Sequence, residues 1–275
     1  MNSSGANAGK DGKYETGLIQ ELQNNKMKNT IFITTLVMGG FLVLSLPAQT
    51  GNFYEDRGFT SLFNGKDLTG WKVPEGDNGH WSVIDGAIDY DARSEAEDKS
   101  LWSERAFTDF ELHIEWRFKG YGDHLFPLPT ILPSGEYLRD KDGNIIEPLG
   151  PNSDSGILLK GVGQANLWCW SVGSGELWSV RNNKALPAEV RAAAVPSVNA
   201  DNPVGHWNVF DIIVKGERIT VINNGQIVID NALYPGLNVK GPIGLQHHGG
   251  VNPDTGKLKG ASSIVQFRNI WIKEI

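Results

Sequence analysis

The chain of 275 residues holds one cysteine, Cys169, so no disulfide can form within it. It has no block or stripe of lysine and arginine. The formal net charge of -7 is spread over many short clusters of both signs, which excludes a phosphate-backbone surface and with it a nucleic-acid partner. No apolar run reaches the ~20 residues that span a bilayer, no long helical period is present, and no internal repeat is visible. The spacings of a serine triad, a P-loop, a zinc site and an EF-hand are absent as well. A Glu-x-Glu or Asp-x-Glu pair on a strand is also missing. What is abundant is glycine (33) and tryptophan (9), a mixture that suits strands, tight turns and stacking surfaces.

The amino end reads as a processing segment. Met27 and Lys28 precede an apolar run from Ile31 to Leu46, interrupted by Gly39 and Gly40 and followed by Pro47, Ala48 and Gln49. That is the order of a secretory signal, with cleavage expected near Ala48 and no cysteine behind it for a lipid. The polar stretch before Met27 would bury the signal, so residues 1–26 are expected to lie outside the native protein or to be disordered. The expected organisation is a signal peptide over 27–48, a linker over 49–56 and one domain over 57–275. The mature protein would be periplasmic or secreted, with no stable membrane insertion after cleavage.

Within that domain, Phe110 to Phe118 places Phe110, Leu112, Ile114, Trp116 and Phe118 at every second position with polar residues between, which predicts a half-buried strand. Trp81–Ile84 and Ala87–Tyr90 flank an Asp85-Gly86 pair and predict a hairpin. Trp207–Lys215, Arg218–Asn223 and, after Asn224-Gly225, Gln226–Asp230 predict a meander. Leu62–Trp71 has a distant counterpart in Phe267–Lys273, so the first and last segments are expected to meet. Residues 120–152 carry five prolines and no period, which predicts a functional loop, a lid or wall over a cleft, or else a surface insertion. The Ala-rich piece of 186–203 allows at most a short helical turn. Hairpin follows hairpin, so the predicted fold is all-β: an antiparallel β-sandwich with a face able to hold an extended polar ligand.

Four segments offer chemistry. In Gly244–Gly249, a period of two sends Leu245 and His247 to the core and turns Gln246 and His248 to the opposite face. His247 is then a hydrogen-bonded core histidine, and His248 faces a ligand or is a plain surface position. In Ser153–Gly161, Lys160 could hold negative charge on a carbonyl oxygen, or be a charge on an edge strand. In Ala165–Ser171, Asn166, Trp168 and Trp170 share a side, and two indoles at i and i+2 could stack on a sugar, or pack a core. Glu176 follows two glycines that would let the backbone approach a ligand, or simply form a turn. Glu111 and Glu115 stand about 13 Å apart, beyond the separation of a glycosidase carboxylate pair. A metal is left open, because His113, Glu115 and Asp154 would meet an ion only in a particular fold geometry.

Seven motifs in order, GFTSLFNGKDLTGW, DFELHIEWRF, SDSGILLKG, NLWCWSVGSGELW, PVGHWNVFDIIVKGERITVINNGQIVID, GPIGLQHHG and VQFRNIWIKEI, resemble the 3-keto-disaccharide hydrolase domain family over about 57–275. The resemblance implies a concanavalin A-like jelly roll. It also implies cleavage of glycosides already oxidised at C3, by C2 proton abstraction, β-elimination and hydration, without a cofactor. It implies His248 as base, Glu176 as rival base or leaving-group acid, Lys160 on the enolate oxygen, and Asp154, Trp168, Trp170 and Gln246 around an oligosaccharide or glycoside. NLWCW stands where many members carry a Glu-x-Gln strand, which points to a subfamily with its own substrate. The competing expectation is a non-catalytic carbohydrate-binding module.

Overall fold

The computed structural model describes residues 53–275; the segment 1–26 and the signal peptide expected over 27–48 lie outside them. A 3-10 turn at Glu55–Arg57 precedes β1 (Thr60–Ser61), β2 (Trp71–Lys72), β3 (Trp81–Ile84), β4 (Ala87–Tyr90), β5 (Leu101–Phe107), β6 (Phe110–Phe118), β7 (Phe126–Pro127) and β8 (Leu149–Gly150). Then come β9 (Asp154–Leu159), β10 (Gly163–Trp168), helices α1 (Trp178–Asn182) and α2 (Ala188–Ala193), β11 (Asn208–Lys215), β12 (Arg218–Asn223), β13 (Gln226–Leu233), β14 (Gly241–Leu245) and β15 (Val265–Glu274). Among the described residues no helix is long and apolar enough to cross a membrane.

Every strand pair is antiparallel. One sheet runs β13-β12-β11-β6-β15-β4-β3 with β1 added on β15, and the other runs β10-β9-β14-β5-β2. The protein is an all-β antiparallel sandwich of the concanavalin A-like jelly-roll kind. Alternation builds it: Phe110, Leu112, Ile114, Trp116 and Phe118 of β6 are all buried and belong to one core with Ile157 and Leu159 of β9, Ala165 and Leu167 of β10, and Ile243 and Leu245 of β14. Burying each such large apolar side chain contributes about 1.5–3 kcal/mol. The hairpin turns need backbone in the left-handed region, which Asp85 (φ 50°) with Gly86 (φ 75°) and Asn224 (φ 51°) with Gly225 (φ 80°) supply.

The ends of the domain meet, although over a shorter stretch than the motif suggests. Thr60 pairs with Ile272 and Ser61 with Trp271, and the Leu62 N–H donates to Ile270 O at 2.8 Å. Trp71 belongs to the other sheet, opposite Ser103. Tyr54, inside the stretch expected to be linker, lies on the larger sheet, its ring stacked on Trp271 at 5.3 Å. Residues 120–152 are a folded excursion: β7 pairs β8, and bridges join Ile131 to Tyr137 and Arg139 to Ile145. Ile131 of this excursion packs with Trp168, Trp170 and Val195, and Phe126, Leu128 and Tyr137 lie against them.

Candidate active site

Because Ile157, Leu159, Ala165, Leu167 and Leu245 fill the core, their neighbours along β9, β10 and the end of β14 face outward. Asp154, Gln164, Asn166, Trp168, Gln246 and His248 accordingly line one cleft of about 540 Å3. The excursion supplies a wall with Phe126, Pro127, Pro129, Tyr137 and Glu147, and α1 adds Trp178. Of the two earlier readings of 120–152, the wall is the one that the fold shows.

The floor of the cleft depends on a missing side chain. A Cβ on Gly156 would lie 2.4 Å from Gln164 Nε2 and 2.9 Å from its Cδ, so only glycine lets Gln164 lie across β9. From there Gln164 Nε2 donates to Gln246 Oε1 at 2.8 Å and also to Asn166 Oδ1. This relay leaves the Gln246 and Asn166 amide N–H groups and Gln164 Oε1 without partners among the described residues, a set that suits hydroxyl and carbonyl groups of a ligand.

Ser263, fully buried, pins the reacting side of the cleft. Its Oγ accepts from the His248 N–H at 2.7 Å and donates to Asp154 O at 2.7 Å, so one hydroxyl ties together the backbones that carry both groups. Ser155 Oγ similarly holds Gln246 O at 2.8 Å. The His248 ring lies 2.6 Å, through Nδ1, from Ala261 O; a carbonyl only accepts, so Nδ1 carries the proton and Nε2 keeps its lone pair. The Asp154 carboxyl is 9 % exposed and has no hydrogen-bond partner among the described residues. Burial pushes it up to about 7, opposed by the charge that His248 bears when protonated. The cleft thus combines a base-competent imidazole with a carboxyl that holds its proton near neutrality. His247 turns inward as its alternation requires: its Nδ1 accepts from the Tyr90 hydroxyl at 2.6 Å, and burial, then Lys99, hold it down at about 4.

Three expectations about the site are corrected. Lys160 sits in the turn after β9 with φ 51°, fully buried, and its Nζ donates to Asp109 Oδ1 and Gly216 O, each at 3.1 Å. Six residues of strand separate it from Asp154, about 20 Å, and it does not line the cleft. Glu176 is also buried, bonded to Arg181 Nε, and does not line the cleft. Its reach is indirect: Arg181 donates to the Tyr137 hydroxyl at 3.2 Å, steadying a residue of the wall. Trp168 and Trp170 do line the cleft, but β10 ends at Trp168 and the two rings stack on each other, centroids 4.0 Å apart and 5° from parallel. They form one slab in place of an extended strip.

Gln164, Tyr137, Trp178 and Ser263 are site residues that sequence reasoning missed. Gln164 continues the Asn166, Trp168 alternation by one step toward the start of β10, a signal that was there to use. Nothing local marks Tyr137 or Ser263. The three residues considered for an ion do not meet. His113 lies between the Tyr54 hydroxyl at 2.8 Å and Asp211 Oδ1 at 2.7 Å, and Glu115 is held by Arg268 and Asn269, all away from β9. Among the described residues no three His, Cys, Asp or Glu side chains gather as a metal site would require.

Residues 58–273 match a family model described as 3-keto-alpha-glucoside-1,2-lyase-like domain. Among solved structures, the chain is similar to two crystal structures of a "putative glycosyl hydrolase" from Parabacteroides distasonis ATCC 8503. The first is 22% identical with TM-score 0.49, covering 79% of this chain and 84% of that one. The second is 19% identical with TM-score 0.48, covering 81% and 96%. A carbohydrate binding module, CBM66 from Bacillus subtilis, is 13% identical with TM-score 0.38 over 75% of this chain and 96% of that one. No curated protein matches the chain.

Proposed function

The chain belongs to the 3-keto-alpha-glucoside-1,2-lyase-like domain family, and from that premise we propose that its cleft cleaves 3-keto-glycosides by elimination across C1 and C2, followed in the hydrolytic case by addition of water. A ketone at C3 acidifies the C2 proton, so the reaction needs a base, a donor to the enolate oxygen and an acid for the leaving group. His248 Nε2 takes the C2 proton. The free amide N–H groups of Gln246 and Asn166, with the Tyr137 hydroxyl, are the donors available to the enolate in place of Lys160. As the enolate reforms the C3 carbonyl, the C1–O bond breaks and Asp154 gives its proton to the departing oxygen. The coupling between the two groups favours this order. Once His248 is protonated, its charge lowers the pKa of Asp154, so the acid becomes stronger when the leaving group needs it. In the hydration step, Asp154 removes a proton from water, the hydroxide adds at C1, and His248, whose N–H exchanges with solvent, delivers a proton to C2.

The observation that carries this reading is the pinning of Asp154 and His248 by one serine in a cleft floored by uncommitted amides. Export to the periplasm or medium, proposed from the leader, would place the enzyme where glycosides arrive. The test is incubation of the mature chain with a 3-keto-disaccharide and with its unoxidised parent in D2O. Cleavage of the keto sugar alone, with deuterium entering at C2 of the hydrated product, is expected. Equal cleavage of both would sink the enolate mechanism and favour a two-carboxylate reaction between Asp154 and Glu147. Binding with no turnover of either would favour a binding module.

A further inference from the structure

Behind the Trp168–Trp170 slab lies a second pocket, about 250 Å3, at the end of the sandwich where β6 and β11 meet the end of β10 and the loop 199–204. We propose that it is a second carbohydrate site, one that takes a single neutral hexose ring. It is lined by Trp116, Trp168 and Trp170 together with Asp201, Asn202 and Asn208.

The class of ligand follows by elimination. The indole Nε1 groups of Trp116 and Trp170, on side chains at least nine-tenths buried, have no acceptor among the described residues. Each needs an oxygen, which a bare ammonium or metal cation does not bring. An anion brings acceptors but meets the Asp201 carboxylate, and no lysine or arginine lines the pocket to offset it. Asn202 Nδ2 is bound to Trp207 O, and Asn208 Oδ1 is taken by Asn202 N and Asn224 Nδ2, which leaves Asn202 Oδ1 as an acceptor and Asn208 Nδ2 as a donor. The partner must therefore be neutral, donate as well as accept, and present an apolar face to the indoles. A pyranose does all three. This inference is independent of the elimination mechanism, because none of its polar residues is used there.

Cys169 lines this pocket and not the cleft, and it is the only thiol of the chain, so its modification reports on one place. The experiment follows labelling of the full chain by a methanethiosulfonate at pH 9, with glucose, galactose or mannose added, and with glycerol as control. At least one hexose is expected to slow labelling several-fold while glycerol does not. Trp116→Phe, which removes the N–H and keeps most of the ring, is expected to weaken that protection about tenfold, the ratio that loss of one such hydrogen bond gives. Asn202→Ala, on the exposed rim, should weaken it too and serves if the Trp116 variant does not fold. His248→Ala should leave it unchanged. Labelling that no hexose slows would overturn the proposal, as would protection that disappears in His248→Ala but persists in both pocket variants.

Discussion

Gly156→Ala is expected to separate the fold of this protein from its function. Gly156 does not have a positive φ, so its backbone accepts alanine, and the reduced freedom of the unfolded chain contributes about 0.4–1 kcal/mol in favour of the folded state. Against this, the new Cβ would lie 2.4 Å from Gln164 Nε2, far inside the ~3.5–4.0 Å of an ordinary contact. The atoms in its way belong to a side chain that can swing, so the protein should still fold, with stability lowered by at most about 2.6 kcal/mol once the hydrogen bonds that Gln164 gives up are set against that gain. Swinging Gln164 away removes its bonds to Gln246 and Asn166, each worth about 0.5–1.5 kcal/mol. If those bonds hold the amides in the geometry that receives the enolate and its hydroxyls, their loss costs about 1–3 kcal/mol of transition-state binding, or roughly 5- to 150-fold in kcat/KM. Thermal denaturation with steady-state kinetics on a 3-keto-disaccharide reads both numbers. A well-folded Gly156→Ala enzyme within twofold of the parent would refute the role of the relay, and a variant that fails to fold would refute the claim that Gln164 can yield.

His248→Ala should reduce kcat by about 10²- to 10⁴-fold, as loss of a general base does, with the thermal midpoint nearly kept; turnover at the parental rate would remove His248 from the mechanism. Asp154→Asn tests a trade between stability and chemistry. The carboxyl is pushed from 3.8 up to about 7 by burial, so its ionisation destabilises the fold as pH rises through that range, by up to about 4 kcal/mol. The asparagine variant should therefore be more stable than the parent at pH 8 and no more stable at pH 4. It should also lack the fall in activity expected of the parent as pH rises through about 7; an unaltered pH profile would count against Asp154 as acid. Lys160→Met should lower stability by about 1.5–3 kcal/mol through the lost charged hydrogen bonds while leaving KM within about twofold, and a large KM effect with unchanged stability would return Lys160 to the site.

The parts of the molecule that were legible in the sequence are those decided within one strand. The alternation of β6 and the turn pairs Asp85-Gly86 and Asn224-Gly225 follow from a period of two and from residues that tolerate positive φ. The misplaced residues lie where a strand has just ended. Lys160 follows Leu158 by two, and on a continuing strand it would share the outer face, but its left-handed backbone turns the ammonium to Asp109. Trp170 has the same spacing from Trp168, and β10 has stopped between them. Glu176 needed knowledge of α1, because its partner Arg181 is brought over it by a helix too short to have a readable period. Tyr137 and Ser263 meet the other site residues from a distant excursion or across strands, and such neighbours are set by the topology of the sheets.

The order of strands also constrains when the protein can come into being. β15, the last strand described, lies between β6 and β4 and carries β1 on its flank. Until it has been synthesised, the larger sheet exists only as two separated fragments, each with a bare edge, and most of the interior faces water. Assembly must therefore wait for residues some 150 to 210 positions away from their partners, Phe118 with Val265 and Thr60 with Ile272 among them, a long-range closure of the kind that makes folding slow. A ribosome stalled short of residue 265 would hold a chain that chaperones can still bind and proteases can still cut.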